Sequence, residues 1–267
     1  MPFKASVPSR HILAREGKGL GELDGRHAVV TGGGTGIGRA IAEALRDAGA
    51  AVTVTGRRES VLAEVAGCTP VRMDVSDPAS VADGMAAARA ANGPIHICIA
   101  NAGIAEGASL KDTDADFWRR IMSINLDGCF HTFRETIPDM LAEGWGRAIA
   151  ISSIAGLKGL RGAMAYTASK HGMVGLVRGL AADFNGKPLT INALCPAYVD
   201  TDIVSYNLER LQARGLSAEE AQKVIVGANP HGRLIDAEEV ATAALWLCGD
   251  GARSVHGQAI QISGGEF

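Results

Sequence analysis

From Arg26 onward, short β-branched runs alternate with Ala-rich helical stretches, and this alternation constrains the fold more than any other feature of the chain. Strands are predicted at 27–31, 51–55, 70–73, 95–100, 147–152, 189–195 and 258–262. Helices are predicted at 37–48, 79–91, 114–141, 165–183 and 236–247, and Ile37, Ile41, Ala44 and Leu45 fall on one face of the first. The strands are nearly continuous apolar runs, as expected where helices cover both faces of a parallel sheet. Repeated β–α units of this length predict an α/β fold, a doubly wound parallel sheet with right-handed crossovers. With 267 residues, no internal repeat and no Pro/Ser-rich linker, the chain reads as a single domain at 24–267, preceded by an extension at 1–23.

Composition excludes several classes of function. At 47% hydrophobic and 21% charged residues the chain can bury a large core. A net charge of −3 argues against a nucleic-acid partner; Arg57-Arg58 and Arg119-Arg120 read as solvated edges. The five cysteines (Cys68, Cys98, Cys129, Cys195, Cys248) are widely spaced and form no C-x-x-C. Neither a disulfide framework nor a zinc site is predicted, and a reducing cytoplasm is the expected location. No segment approaches the roughly 20 apolar residues of a membrane span, and 1–23 carries no signal-peptide core.

One stretch, 198–234, breaks the β–α rhythm. It has helical patterning and a capping box at Ser217-x-x-Glu220. Long excursions at the carboxyl ends of strands are where open α/β sheets bind ligands, so a substrate lid is the favoured reading; a packing subdomain is the alternative.

After the first strand, Thr31-Gly32-Gly33-Gly34-Thr35-Gly36-Ile37-Gly38 opens directly into a helix. Glycines let the backbone turn tightly and approach a pyrophosphate, and the helix N-terminus offers unpaired N–H groups to the anion. This predicts a dinucleotide cofactor. NAD sites usually place Asp or Glu at the end of the second strand, whereas this chain has Gly56-Arg57-Arg58. Arg57 can pair with a 2′-phosphate through its planar fork, which favours NADP and leaves NAD as the alternative.

Tyr166 and Lys170 stand four apart in a helical stretch and share a face, thirteen residues after Ser153 ends a strand. A phenol with a pKa near ~10 needs help to move protons at neutral pH. A neighbouring ammonium is expected to lower that pKa, while a serine hydroxyl holds the substrate oxygen. Thr31-Gly-x-x-x-Gly-Ile-Gly38, Asn101-Ala-Gly103, Asn125, Ser153 and Tyr166-x-x-x-Lys170 together resemble the short-chain dehydrogenase/reductase family, over about residues 24–267. The resemblance implies a Rossmann fold and hydride transfer between a nicotinamide cofactor and a carbonyl or alcohol, with no metal. It implies Tyr166 as general acid/base, Ser153 orienting the substrate oxygen and Lys170 lowering the Tyr166 pKa while binding ribose hydroxyls. Asn125 would hold a water leading from Lys170 to solvent. Gly32, Gly36, Ile37, Gly38, Asp74, Val75, Asn101, Pro196, Val199 and Thr201 would complete the cofactor site. It also implies a homodimer or homotetramer built on the long helices at 114–141 and 165–183. Two departures are Ala100 before Asn101 and Ala197 after Pro196, where the family usually has Asn and Gly.

Around Tyr166-Thr-Ala-Ser-Lys-His-Gly the chain is similar both to 3-oxoacyl-thioester or polyketide ketoreductases and to 3-hydroxybutyrate dehydrogenases, and Glu219-Glu-Ala-Gln resembles the second group. The positions with which that group holds a small carboxylate align with Ala105, Ala155 and Ala163, which cannot bind an anion. Gly144 and Ala182 stand where carrier-protein reductases have basic docking residues. The expected substrate is therefore a neutral ketone, a bulkier cyclic compound or a thioester, with Arg210 and Arg214 as candidate contacts for a phosphate-bearing tail.

Overall fold

The structure is a computed structural model, and it describes residues 22–266 except 202, 203, 205–207, 209–211, 213 and 214. Seven parallel strands form one sheet: β1 His27–Thr31, β2 Ala51–Gly56, β3 Thr69–Arg72, β4 Ile97–Ala100, β5 Gly146–Ile151, β6 Leu189–Pro196 and β7 Ala259–Ile262. Their order is β3-β2-β1-β4-β5-β6-β7. The chain winds outward from β1 to β3, then returns to add β4 on the other side of β1. That reversal opens a crevice above the carboxyl ends of β1 and β4, where doubly wound sheets hold their ligands.

The helices are α1 Gly36–Asp47, α2 Glu59–Ala63, α3 Pro78–Asn92, α4 Ala115–Met122, α5 Gly128–Ala142, α6 Met164–Asp183, α7 Ala218–Val226 and α8 Ala237–Cys248. The two-residue period of the strands divides the core between the two faces. Ile97, Ile99, Ile149 and Ile151 pack with Ile41 and Leu45 of α1 and Val240 and Leu247 of α8. Cys98, Ala100, Ala148 and Ala150 face Phe133 of α5 and Val177 of α6. Bulky side chains thus meet α1 and α8, and small ones let α5 and α6 lie close to the sheet.

Most element boundaries fall within two residues of those predicted. The short helix α2 was not anticipated, and the single helix expected at 114–141 is interrupted. A π-helical turn, Ser123–Asp127, separates α4 from α5, and Asn125 sits within it fully buried. Such widened turns place one side chain off the regular helical register. Leu23, assigned by sequence to the extension, belongs to the core at 2% exposure, its N–H bonded to the Ala48 carbonyl. Residues 1–21 lie outside the described part, as do Arg210 and Arg214. The excursion after β6 starts and ends side by side, since Val199 pairs with Ile235, and the Ser217–Glu220 capping box opens α7 as predicted. Ala197 donates its N–H to the Ile262 carbonyl, and no non-glycine residue among those described has positive φ, so alanine after Pro196 simply extends the strand pairing.

At the amino end of β1, His27 is 1% exposed, with its ring nitrogens on Gly93 O (2.8 Å) and Thr53 Oγ1 (2.9 Å). Burial holds the imidazole pKa below its ordinary 6.5, opposed by the Gly93 bond and reinforced by His96, which burial also lowers. Neutral histidines therefore favour the native state above pH 6.5, and this stability is lost as pH falls through the lowered native values. Denaturant titrations from pH 7 to 4.5 should show a steep loss of stability in that window, and His27→Gln should reduce the slope. An identical pH dependence in the variant would refute the assignment.

Candidate active site

The glycine-rich turn leads from β1 into α1 above the crevice. Gly36 has φ +50°, in the left-handed region. At Gly38 a β-carbon would stand 2.3 Å from the Gly32 carbonyl oxygen, so only glycine lets α1 begin against the turn. Asn101, at the end of β4, locks this arrangement from the other side of the crevice. Its Nδ2 donates to the carbonyls of Thr31 (2.9 Å) and Gly32 (3.2 Å), and the Thr31 hydroxyl accepts from the N–H groups of Asn101 and Ala102. Asn101 thus holds the loop as well as lining the crevice.

A groove runs from this turn over β2, lined by Gly32, Gly34, Thr35, Arg57, Arg58, Asp74 and Val75. Three observations fit it to a dinucleotide. The N-cap Thr35 makes no side-chain cap and the first turn of α1 carries no acidic residue, leaving its N–H groups for an anion. The Thr55 hydroxyl, buried beneath the groove, has no hydrogen-bond partner among the described residues. Asp74 is the groove's one carboxylate among the described residues, and its Oδ1 already accepts from the Ser76 N–H (3.0 Å) and hydroxyl (2.7 Å). The Ser76 hydroxyl bond holds the Asp74 pKa below its ordinary value, so the group stays charged.

Through Gly103 and Ile104 the groove joins a cavity of about 520 Å³. Ser153, Tyr166 and Lys170 all face it, together with Ile37, Asn101, Pro196, Val199 and Thr201. Gly36, Gly38 and Asn125 line neither space; the glycines shape the turn and Asn125 lies behind the wall. Ser153 stands two residues after β5 and caps a short 3₁₀ turn, its Oγ accepting from the Ala155 N–H (3.1 Å). Tyr166 and Lys170 project from the first turns of α6, and Lys170 is 4% exposed. Its Nζ donates to the Ile151 carbonyl (2.8 Å) and lies 5.8 Å from the Tyr166 ring centre. Asn125 donates to Ile104 O and Ser169 Oγ and accepts from the Ile104 N–H, while Ser169 donates to Tyr166 O (2.7 Å). The π-helical turn is thereby fixed to both the cavity wall and α6.

Electrostatics differ from the simple expectation in one respect. Burial pushes the Tyr166 phenol above its ordinary value, against the opposing effect of the Ser153 hydroxyl hydrogen bond. Burial also depresses Lys170 from 10.5 to about 8. The Lys170 Nζ is committed to the Ile151 carbonyl, and desolvation of the phenolate outweighs the Ser153 hydrogen bond. Tyr166 is accordingly protonated at neutral pH, and Lys170 titrates close to it.

Among the three alanines that replace carboxylate-binding positions, Ala105 and Ala163 line the cavity, whereas Ala155 is fully buried in the 3₁₀ turn and does not reach it. Sequence reasoning missed Tyr198 and Arg161, both on the cavity wall. Each stands in a loop, where no periodicity marks the direction of a side chain.

Comparison with known proteins agrees with this geometry. The family profile described as Enoyl-(Acyl carrier protein) reductase matches residues 32–266. A D-beta-hydroxybutyrate dehydrogenase of Rhizobium meliloti is 35% identical over 250 residues, covering 89% of this chain and 97% of the relative. An acetoacetyl-CoA reductase of the same organism is 34% identical over 246 residues, covering 91% and 98%. The crystal structure of an actinorhodin polyketide ketoreductase variant with NADPH superposes with a TM-score of 0.85 at 31% identity, over 90% of this chain and 96% of that one.

The depressed Lys170 pKa has a thermodynamic consequence. Between pH 8 and 10.5 the unfolded chain binds the proton that the native site has released, so stability rises with pH across that window. Below pH 8 the buried ammonium costs the native state roughly 3 kcal/mol. Lys170→Met should raise Tm at pH 7 and remove this part of the pH dependence; a lowered Tm at pH 7 would contradict the desolvation argument.

Proposed function

This chain belongs to the short-chain dehydrogenase/reductase family, NAD(P)-dependent oxidoreductases acting on CH–OH groups, and on that premise we propose that it reduces a ketone to a secondary alcohol with NADPH, Tyr166 delivering the proton. The carrying observation is the convergence of Ser153, Tyr166 and Lys170 on one cavity that continues into the glycine-loop groove. Bound in the groove, the nicotinamide cofactor supplies the hydride for the carbonyl carbon. The Ser153 hydroxyl donates a hydrogen bond to the carbonyl oxygen, stabilising negative charge as it develops there. Tyr166, kept protonated by burial, transfers its proton to that oxygen. The phenolate left behind is stabilised by the Lys170 ammonium over its ring, and Asn125, behind Gly103, keeps the route by which Lys170 is reprotonated.

Gly32, Gly36, Ile37, Gly38 and the α1 N-terminus would hold the pyrophosphate, Asp74 and Val75 the adenine, and Lys170 the nicotinamide ribose. Asn101, Pro196, Val199 and Thr201 would enclose the nicotinamide end. NADP is favoured over NAD because the groove over β2 presents Arg57 and Arg58, while one oxygen of its Asp74 carboxylate is bonded to Ser76. Residues 198–234 would close over the substrate as a lid, with α7 contributing Val224 and Ile225 to the cavity wall. The alanine walls at Ala105 and Ala163 disfavour a small free hydroxy acid, and the relatives' names support a 3-oxoacyl-type ketone. Phe130 of α5 and Trp246 of α8 stand exposed, which supports assembly into a homodimer or homotetramer; sedimentation at micromolar concentration should give more than a monomer.

Tyr166→Phe should lower carbonyl reduction at least 100-fold across a panel of ketones, and alcohol oxidation by the native enzyme should accelerate as pH rises and the phenol ionises. Intact turnover in Tyr166→Phe would overturn the mechanism. Dissociation constants for both cofactors should favour NADPH, with Arg57→Ala erasing much of the preference. Tighter NAD binding, insensitive to Arg57→Ala, would instead indicate an NAD-dependent dehydrogenase of a secondary alcohol or polyol.

A further inference from the structure

The cavity is apolar along most of its wall and carries, on the exposed Arg161, a charge with no partner among the described residues. Ile104, Ala105, Ile154, Leu160, Ala163 and Ile225 line the cavity together with Ser153 and Tyr166. Among the lining side chains, Val224 exposes apolar surface to solvent at 53%. The charged groups of the lining are not equivalent. Glu106 is gripped by both terminal nitrogens of Arg120, at 2.6 and 2.8 Å. Arg161 lines the cavity without an ion pair or side-chain hydrogen bond among the described residues.

Arg161 is also held in place. It lies at the tip of a turn closed by the Ala163 N–H on the Leu160 carbonyl (3.3 Å). The Leu160 N–H bonds the Thr167 hydroxyl of α6 (3.3 Å), one residue from Tyr166. The facing loop packs so tightly that a β-carbon on Gly107 would stand 2.6 Å from the Gly162 carbonyl oxygen. The guanidinium is therefore carried by a turn fixed to the helix that presents Tyr166, and it flanks the path a substrate takes inward.

Taking the ketone-reductase reading above as its basis, we propose that the substrate is an amphipathic ketone whose carbonyl reaches Ser153 and Tyr166, whose apolar body lies along the cavity wall, and whose far end is an anion paired with Arg161. The arrangement explains how a site with alanines beside the reacting oxygen still selects an acid. The charge is recognised at the mouth, separated from the carbonyl by the apolar wall. A terminal carboxylate and a phosphate-bearing thioester arm both meet this requirement, since a guanidinium fork fits either.

Two matched pairs of probes distinguish these sources: 9-oxodecanoate against its methyl ester, and a 3-oxoacyl thioester on a phosphorylated pantetheine arm against the same acyl group on N-acetylcysteamine. For at least one pair, the native enzyme should show a higher kcat/KM for the anionic member, through KM, and the preference should fade as ionic strength rises. The pair that shows it identifies the anion. Arg161→Gln should reduce the anionic-to-neutral ratio about fivefold, Arg161→Glu further, and Arg161→Lys should keep most of it. A ratio unchanged in both Arg161→Gln and Arg161→Glu, or a native preference for the neutral member of both pairs, would overturn the proposal while leaving ketone reduction standing. If no ketone were turned over by the native enzyme, the parent reading would fall and this one with it.

Discussion

The hydrogen bond from the Lys170 ammonium to the Ile151 carbonyl joins the first turns of α6 to the end of β5, and the rest of the site is arranged around that contact. It is possible because the sheet presents small side chains to α6. Ala148, Ala150 and Ala193 present little volume to it, and the Ser152 hydroxyl donates to the Lys170 carbonyl at 3.1 Å. With the helix so placed, Tyr166 falls beside Ser153, and the π-helical turn brings Asn125 against Ser169 on the same helix. A larger residue on that face of β5 would lift α6 and separate the groups together.

Closeness has an electrostatic cost. The same packing that assembles Ser153, Tyr166 and Lys170 also removes water from them, so the phenol resists ionisation and the Lys170 amine resists protonation. Desolvation destabilises the charged forms in the resting protein, yet it brings the Lys170 pKa to about 8 and strengthens every interaction made with a substrate oxygen. The site is a local loss of stability held by the surrounding core. The crevice above β1 and β4 shows the complementary strategy: Asn101 satisfies the Thr31 and Gly32 carbonyls with its own side chain, leaving the N–H groups at the start of α1 facing outward.

Much of this was legible in the chain. Strand positions followed from apolar runs and helices from Ala-rich periodicity, because both reflect burial on a repeating geometry. The glycine pattern was legible for a steric reason, since a β-carbon at Gly38 has no room. Local spacing also placed Tyr166 and Lys170 on one helical face. The break at Ser123–Asp127 was not legible: Asn125 is off-register because the backbone of Ile104, distant in sequence, bonds both ends of its amide. Ala155 was assigned to the pocket by alignment, and the 3₁₀ turn after Ser153 turns it into the core instead.

By itself, then, the sequence determined the doubly wound sheet, the glycine turn that fits a dinucleotide and the identity of the polar groups that converge on the cavity. These rest on local propensity, steric fit and short-range spacing. Tertiary structure alone decided the electrostatic state of Tyr166 and Lys170, the second task of Asn101 and the place of Arg161 at the mouth of the cavity. Each of those depends on which distant segments exclude water from a group or leave it unpaired, and spacing along the chain carries no record of that.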